Sequence, residues 1–368
     1  MTAGAAPARI SGEKPARWLT FRLSAMGDVA LCTGVLDYWG RQRGLRFIVA
    51  TRAAWAPLFA GLEAVDQVIG LEPDQLRGLA WLKTARELAA QYRGCGLLDL
   101  HGSLRAQLLT GLWSGPVARA PKFRLLRWLA LRLRSPWALQ QLLRTTVPQR
   151  YALALEPSPP PADVLRPRVV LRAAERAAAA GLLGRTERPL SSGQPPCPPG
   201  NNARPLAALH PYATHASKAW PMERWRVLTC ALDAAGWDWF LIGRPGPGDP
   251  PLFPSPCPAN RNFIARSDLR LSCALLAQAD VLVTADSGPM HLAVAVDTPV
   301  VALFGPTHRA WGFAPGGPHD LVLECDLACR PCSLHGKRPC PHDRACLNGI
   351  TSAQVLEAMQ AVRANANA

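Results

Sequence analysis

No run of about 18 apolar residues occurs in this sequence; the best candidate, around Val294 to Phe304, is broken by Asp297 and Pro299. A spanning helix is therefore not expected. The opening stretch, MTAGAAPARISGEKPARW, has no apolar core of a secretory signal, so the eleven cysteines are expected to meet a reducing compartment as thiols rather than as a disulfide framework. Charge is sparse, at 18% of residues against 49% apolar, which excludes wholesale disorder. Acids are scarcer than bases, 26 against 41, and the resulting charge of +15 implies anionic company: nucleic acid, an anionic membrane surface or a phosphorylated ligand. There is no GxxxxGK(S/T) loop and no strand-associated GxGxxG, which weighs against a nucleotide hydrolase and a dinucleotide-dependent dehydrogenase.

What is present is alternation. At 368 residues the chain is long enough for two domains, each with a sizeable core. From Trp18, WLTFRLSAMGDVALCTGVLDYWG reads as strand, tight turn and helix; LRFIVAT and VDQVIGL follow as strands, WLKTARELAAQYRG as a helix, and GLLDLHGSLRAQLLTGLW as strand into helix. Pro-, Gly- and Ser-rich segments then interrupt the pattern (LEPSPPPADVLRP and RTERPLSSGQPPCPPGNNARP), with an Ala-rich helix at Val169 to Ala180 between them. Afterwards strands LAALHP, WDWFLIG, VLVTA and VVALFG alternate with helices. The expected fold class is α/β, two Rossmann-like domains facing each other across a cleft: residues 16–165, a linker region 166–205, and residues 206–368 with a Cys-rich loop and a terminal helix.

Ligands of such sheets bind at the carboxyl ends of strands, and the polar residues cluster there. In VLVTADSGPMHLAVAV, Asp286 or Ser287 can cap a helix, Pro289 fits its first turn, and Gly288 allows a close backbone approach. The helix start, with His291 one turn in, suits a phosphate; an ordinary capped helix with a satisfied histidine is the equal alternative. Lys218, in HPYATHASKAWPMERW, can reach the same anion as a point charge. In the first half, Asp28 of RLSAMGD could serve as a general base or merely as a first-turn acid, and DLHGSLRAQ offers Asp99, His101 and Arg105 for an anionic or hydroxyl-rich acceptor.

The run from Asp286 to Thr307 resembles the D(T/S)GxxH–helix–FGPT signature of glycosyltransferase family 9, the ADP-heptose:lipopolysaccharide heptosyltransferases and their relatives. HPYATHASKAWPMERW is similar to the family's HPGA…K.WP.E.W segment and LSAMGD to its SSxGD turn; DLHGSLRAQ and the cysteine-rich end also match, so the likeness runs from about Trp18 to Val362. Tyr212 and the pair Ala25-Met26 depart from the pattern, which bears on sugar and nucleotide specificity more than on the reaction. The resemblance implies a GT-B architecture and metal-independent, inverting transfer from a nucleotide-diphosphate sugar. In that frame Lys218, Ser287, Gly288 and His291 bind the donor's diphosphate, Asp286 its sugar hydroxyls, Asp28 deprotonates the acceptor, and His101 and Arg105 bind it. The glycines of FLIGRPGPGD would let the nucleotide approach.

Cys329, Cys332, Cys340 and Cys346, with His335 and His342 near them, could hold a structural zinc or iron, but the second pair lacks a zinc ribbon's short spacing, and unmetallated thiols are preferred. Between Arg119 and Arg150 stand eight Lys/Arg, two Trp and no acid, a composition suited to an anionic bilayer surface or to a helix packed in its own domain. The expected function is transfer of a heptose or related sugar from ADP-heptose to a lipid-linked lipopolysaccharide core acceptor, on the cytoplasmic face of the inner membrane and without a specific nucleic-acid partner. Glycosylation of a protein by the same fold, and a non-catalytic basic module for lipid or nucleic acid, are the alternatives.

Overall fold

The computed structural model describes residues 16–187, 204–246 and 259–367. Its first half is a five-stranded parallel sheet built from β1 (Arg17–Phe21), β2 (Arg46–Arg52), β3 (Val65–Leu71), β4 (Gly96–Asp99) and β5 (Val117–Arg119), in the order β3-β2-β1-β4-β5. Helices α1 (Met26–Arg43), α2 (Gly78–Gln91) and α3 (Leu104–Leu112) connect them. β1 is central, with Leu19 flanked by Ile48 and Leu97, and buried from Trp18 onward, which is why this strand reads as an almost unbroken apolar run. After β5 come three short helices, α4 (Arg124–Arg132), α5 (Pro136–Leu143) and α6 (Val147–Ala152), then α7 (Ala173–Leu182).

The second half repeats the plan with β6 (Leu206–His210), β7 (Asp238–Leu241), β8 (Val281–Ala285), β9 (Val300–Phe304) and β10 (Leu321–Glu324), ordered β10-β9-β8-β6-β7 and again parallel. Its helices are α8 (Met222–Ala234), α9 (Leu269–Leu276), α10 (Gly288–Ala295), the short α11 (Ala345–Asn348) and α12 (Ser352–Asn367). β6, β8 and β9 are buried at every position. Each sheet reverses its strand order once, between β1 and β4 and between β6 and β8, and such reversals open a crevice at the carboxyl edge. α1 packs against α10, so the two carboxyl edges meet, and a single apolar cluster runs from Trp18 and Val35 on one side to Met290 and Phe304 on the other.

Three sequence expectations change. The basic stretch is not one helix but β5 followed by α4, α5 and α6, because Pro136 and Pro148 each open a new helix. The Ala-rich helix begins at Ala173 rather than Val169, since the Val169 N–H is taken by the Ala295 carbonyl of the second half. β10 has no counterpart in the sequence reading; it is a half-buried edge strand whose pattern is weak. Most of the Pro-rich segment between the halves, and the end of FLIGRPGPGD, lie outside the described residues.

Candidate active site

β1 runs straight into the turn that presents Asp28. The Arg22 guanidinium, just past the strand, donates to the Leu100 carbonyl at 2.6 Å and pairs with Asp28 Oδ1 at 2.5 Å. The Tyr151 hydroxyl, arriving from α6, donates to the same oxygen at 2.9 Å, and Arg22 lies over the Tyr151 ring. Asp28 Oδ2 accepts the Ala25 N–H at 3.2 Å, so the carboxylate also fills the first-turn role its residue type predicts. Burial alone would push this carboxyl up; Arg22, Tyr151, the Ala25 N–H and His291 outweigh it and hold it below the usual carboxylate range. Asp28 is therefore ionised, with Oδ1 taken by two side chains and Oδ2 by one long backbone contact.

The surroundings are cationic. Lys122 donates to the His101 carbonyl and is lowered to about 8, by burial first and then by Arg22. Arg127 is lowered by burial and stands within electrostatic reach of Tyr151 and Asp28. His101 is lowered to about 3, again by burial and then by Arg22 and Lys122, so it is neutral near pH 7. Asp99, buried at the end of β4, accepts the N–H groups of His101 and Gly102 and pairs with Arg119, which makes it the anchor of this turn. Arg105 is exposed, and its Nε donates to the Leu76 carbonyl at 2.8 Å.

From the second half, Lys218 and Asp286 form an ion pair of 2.9 Å, both largely buried. Ser287 occupies the N-cap position of α10, but its hydroxyl does not cap: it meets Thr284 Oγ1 at 3.0 Å and His210 Nδ1 at 3.3 Å. The expected side-chain cap is thus replaced by a tether to β6 and β8, and the first turn keeps its N–H groups free of any side-chain acceptor of its own. His291 is buried and lowered to about 4 by that burial, so it is neutral and able to donate one N–H. Gly288 faces the start of α1. A side chain there would meet the end of the flexible Met26 side chain, and one at Gly27 would strike His291 Cδ2 at 2.6 Å and lie 3.3 Å from the Gly288 Cα. The two glycines let the starts of α1 and α10 touch, which brings Asp28 and His291 within electrostatic reach of one another.

The arrangement joins a carboxylate on one wall to a lysine, a neutral histidine and a helix start on the other. The family model described as Glycosyltransferase family 9 (heptosyltransferase) matches residues 83–339, more than half of the chain. The chain belongs to glycosyltransferase family 9. That match begins after Asp28. Among curated relatives, lipooligosaccharide heptosyltransferase 2 of Campylobacter jejuni is 30% identical over 98 residues, 26% of this chain and 30% of that protein. Lipopolysaccharide heptosyltransferase 1 of Pseudomonas aeruginosa is 31% identical over 137 residues, 34% of this chain and 36% of that protein, so the matched part spans only about a third of either relative. The solved ADP-heptose lps heptosyltransferase II of E. coli superposes with a TM-score of 0.68 at 19% identity, covering 96% of this chain and 100% of that one. The family 9 protein of Veillonella parvula gives 0.67 at 17%, covering 95% and 97%. These likenesses show the fold, the GT-B pair of Rossmann-like domains.

Another structural neighbour, TibC of enterotoxigenic E. coli, is described as an iron-containing dodecameric glycosyltransferase; it superposes with a TM-score of 0.58 at 15% identity, covering 96% of this chain and 77% of that one. Here Cys329, Cys332 and Cys340 lie on the loop before α11 and Cys346 within α11, and Cys332 is near enough to each of the other three to affect ionisation. Cys332 is exposed, Cys340 Sγ accepts the Arg344 N–H at 3.3 Å, and no three His, Cys, Asp or Glu among the described residues converge on a common point. The loop instead bears on the site through Gly336, whose bare Cα face lies under the Lys218 side chain, while its carbonyl accepts the Ser217 hydroxyl at 2.5 Å.

Sequence reading missed Arg22, Tyr151, Lys122 and Arg127. Arg22 had a signal, a lone cation at the end of a buried apolar strand. Tyr151 had none, because its neighbour Asp28 is 123 positions away.

Proposed function

We propose that this protein is an inverting glycosyltransferase that moves a heptose, or a related sugar, from ADP-heptose to a hydroxyl of a lipopolysaccharide core acceptor, working at the cytoplasmic face of the inner membrane. The observation that carries the reading is that His291, at the start of α10, stands within electrostatic reach both of Asp28 from the first half and of the Lys218–Asp286 pair from the second. Residues 16–165 take the acceptor, residues 206–368 the donor, and 166–205 link them.

The donor's diphosphate lies at the start of α10, where free N–H groups and the positive dipole end favour it. Lys218 leaves Asp286 for the phosphate, and Asp286, released, accepts hydrogen bonds from sugar hydroxyls. His291 donates one N–H. As the bond from the anomeric carbon to the diphosphate oxygen breaks, negative charge grows where these donors are already fixed, and fixed donors are worth more there than water. The acceptor oxygen attacks from the opposite face and its proton passes to Asp28 Oδ2. A carboxylate held low by Arg22 and Tyr151 is a weak base, which suits a proton that becomes acidic only once the new bond is forming. The step needs no metal, and the four cysteines take no part in it.

Purified protein given ADP-heptose with a soluble core-saccharide fragment is expected to yield a product heavier by one heptosyl residue. Product only with a polypeptide acceptor would support protein glycosylation instead, and none with either would leave a binding module. Lys218→Ala is expected to weaken ADP by roughly ten- to a hundredfold, the loss of a hydrogen bond to a charged group, while adenosine binding holds. Equal losses for both ligands in calorimetry would remove Lys218 from the diphosphate site.

A further inference from the structure

Large apolar side chains are exposed at one edge of the first half. Leu79 and Leu104 are each 83% exposed, Leu125 69%, Leu133 62%, Trp137 61% and Trp128 52%. Their places follow a rule. Leu79 is the second residue of α2, Leu104 the first of α3 and Leu125 the second of α4, and these helices follow β3, β4 and β5. Because the sheet is parallel, the three strands end on one side, so the leucines stand around a single rim, the edge that also carries Asp28, His101 and Lys122. Trp128, Leu133 and Trp137 extend it over the paired helices α4 and α5. A helix's first turn ordinarily favours capping and acidic residues; here three successive helices put leucine there and leave it bare.

The rim is also cationic. Arg77, Arg105, Arg124, Arg132, Arg134 and Arg144 are exposed along it. Glu72 and Asp74, before α2, are the acids nearest in sequence; from position 75 to 150 the only others are Glu87 and the buried Asp99. Apolar side chains ringed by arginines would repel a second copy, since a two-fold contact sets like charge against like. Phosphate recognition by itself gives no use for bare leucines. Both features suit a surface that is anionic outside and apolar within.

We propose that this rim, and not the α4–α5 hairpin alone, is the docking surface for an anionic bilayer, with Leu79, Leu104 and Leu125 entering the headgroup boundary beside Trp128 and Trp137. This rests on the reading of the first half as the acceptor side. Docked so, the carboxyl edge of the first sheet faces the membrane, a lipid-linked acceptor rises directly to Asp28, and the donor half stays open to water.

The test is flotation with vesicles of phosphatidylglycerol mixed with phosphatidylcholine, against phosphatidylcholine alone. The parent protein is expected to float with the anionic vesicles and to release as salt rises, because surface charge is screened. Leu79→Ser with Leu104→Ser leaves every charge in place, yet is expected to lower the fraction bound by at least about tenfold, since each leucine loses its apolar transfer. Trp128→Ala with Trp137→Ala should do the same. Melting temperature and ADP binding should stay at the parent's values in both variants, because the side chains are exposed and none of them belongs to the donor site. Unchanged flotation of the leucine variant, even beside a loss in the tryptophan variant, overturns the rim as the docking surface, and so does a parent that ignores anionic vesicles. A dimer in solution that the leucine variant dissolves would assign the rim to a second copy and overturn it too. Failure to glycosylate a soluble fragment would count against the functional reading while leaving the flotation result standing.

Discussion

Asp28→Asn is expected to lower turnover by about 10²–10⁴-fold, the usual worth of a positioned general base, while ADP binding stays close to that of the parent. Asparagine keeps the shape and can still accept from Tyr151, but it cannot take a proton. Arg22 is then left buried without its counter-charge, so stability should fall as well, by up to about 3–5 kcal/mol when one partner of a buried pair is lost. The two losses are separable. A structural role alone predicts a lower melting temperature with the turnover of the remaining folded protein intact, whereas the catalytic role predicts lost turnover at temperatures where the variant is fully folded. Turnover within a few-fold of the parent would leave Asp28 a helix-end acid paired to Arg22. The pH dependence has a definite sign: a carboxyl held low in the folded protein stabilises it above the ordinary carboxylate range, and that contribution disappears as pH falls through the depressed value.

Arg150→Leu is expected to destabilise the protein by about 2–4 kcal/mol and to loosen the two halves together. Arg150 is 2% exposed. From α6 it donates to the Leu142 and Thr145 carbonyls at 2.7 and 2.8 Å, and across the halves to the Trp311 and Ala310 carbonyls at 2.7 and 3.2 Å. Its charge is met by carbonyl oxygens instead of a carboxylate, and burial, with Arg127 beside it, lowers it to about 10. The guanidinium also lies over the ring of Phe123, which opens α4 with a left-handed backbone, φ 49°. Leucine would fill much of the volume but leave several buried acceptors unpaired, the costly half of removing a hydrogen bond. Tyr151 is the next residue, so the variant should also shift the partner of Asp28 and lower turnover more than it weakens ADP. A melting temperature equal to the parent's would show that the halves are held by their apolar contacts alone.

Much of the fold was legible because parallel strands buried on both faces must be apolar throughout, and β1, β2, β6, β8 and β9 each stand out as such runs between turn residues. Of the edge strands, β3 and β7 were legible, but β5 and β10 were not, because three or four partly buried residues make too short a run to stand out. The polar residues at strand ends, Asp28, Lys218, Asp286 and His291, were legible for the same reason as the strands: a parallel sheet collects its carboxyl ends on one edge, so any chemistry-bearing residue just past a strand is already on the ligand side.

Sequence alone therefore determined the class of fold, the two-part plan, the family resemblance and the positions of these four residues along the chain. Tertiary structure alone decided what each of them touches. It paired Lys218 with Asp286, gave Asp28 Oδ1 to Arg22 and Tyr151, turned Ser287 away from its helix toward Thr284 and His210, and set Gly27 against His291. It also gathered Leu79, Leu104 and Leu125 onto one rim. The physical reason is range: strand and helix patterns are local, repeating every two to four residues, whereas ion pairs and close backbone approaches join positions far apart in the chain, and nothing in a local pattern records which distant partner the packing will supply.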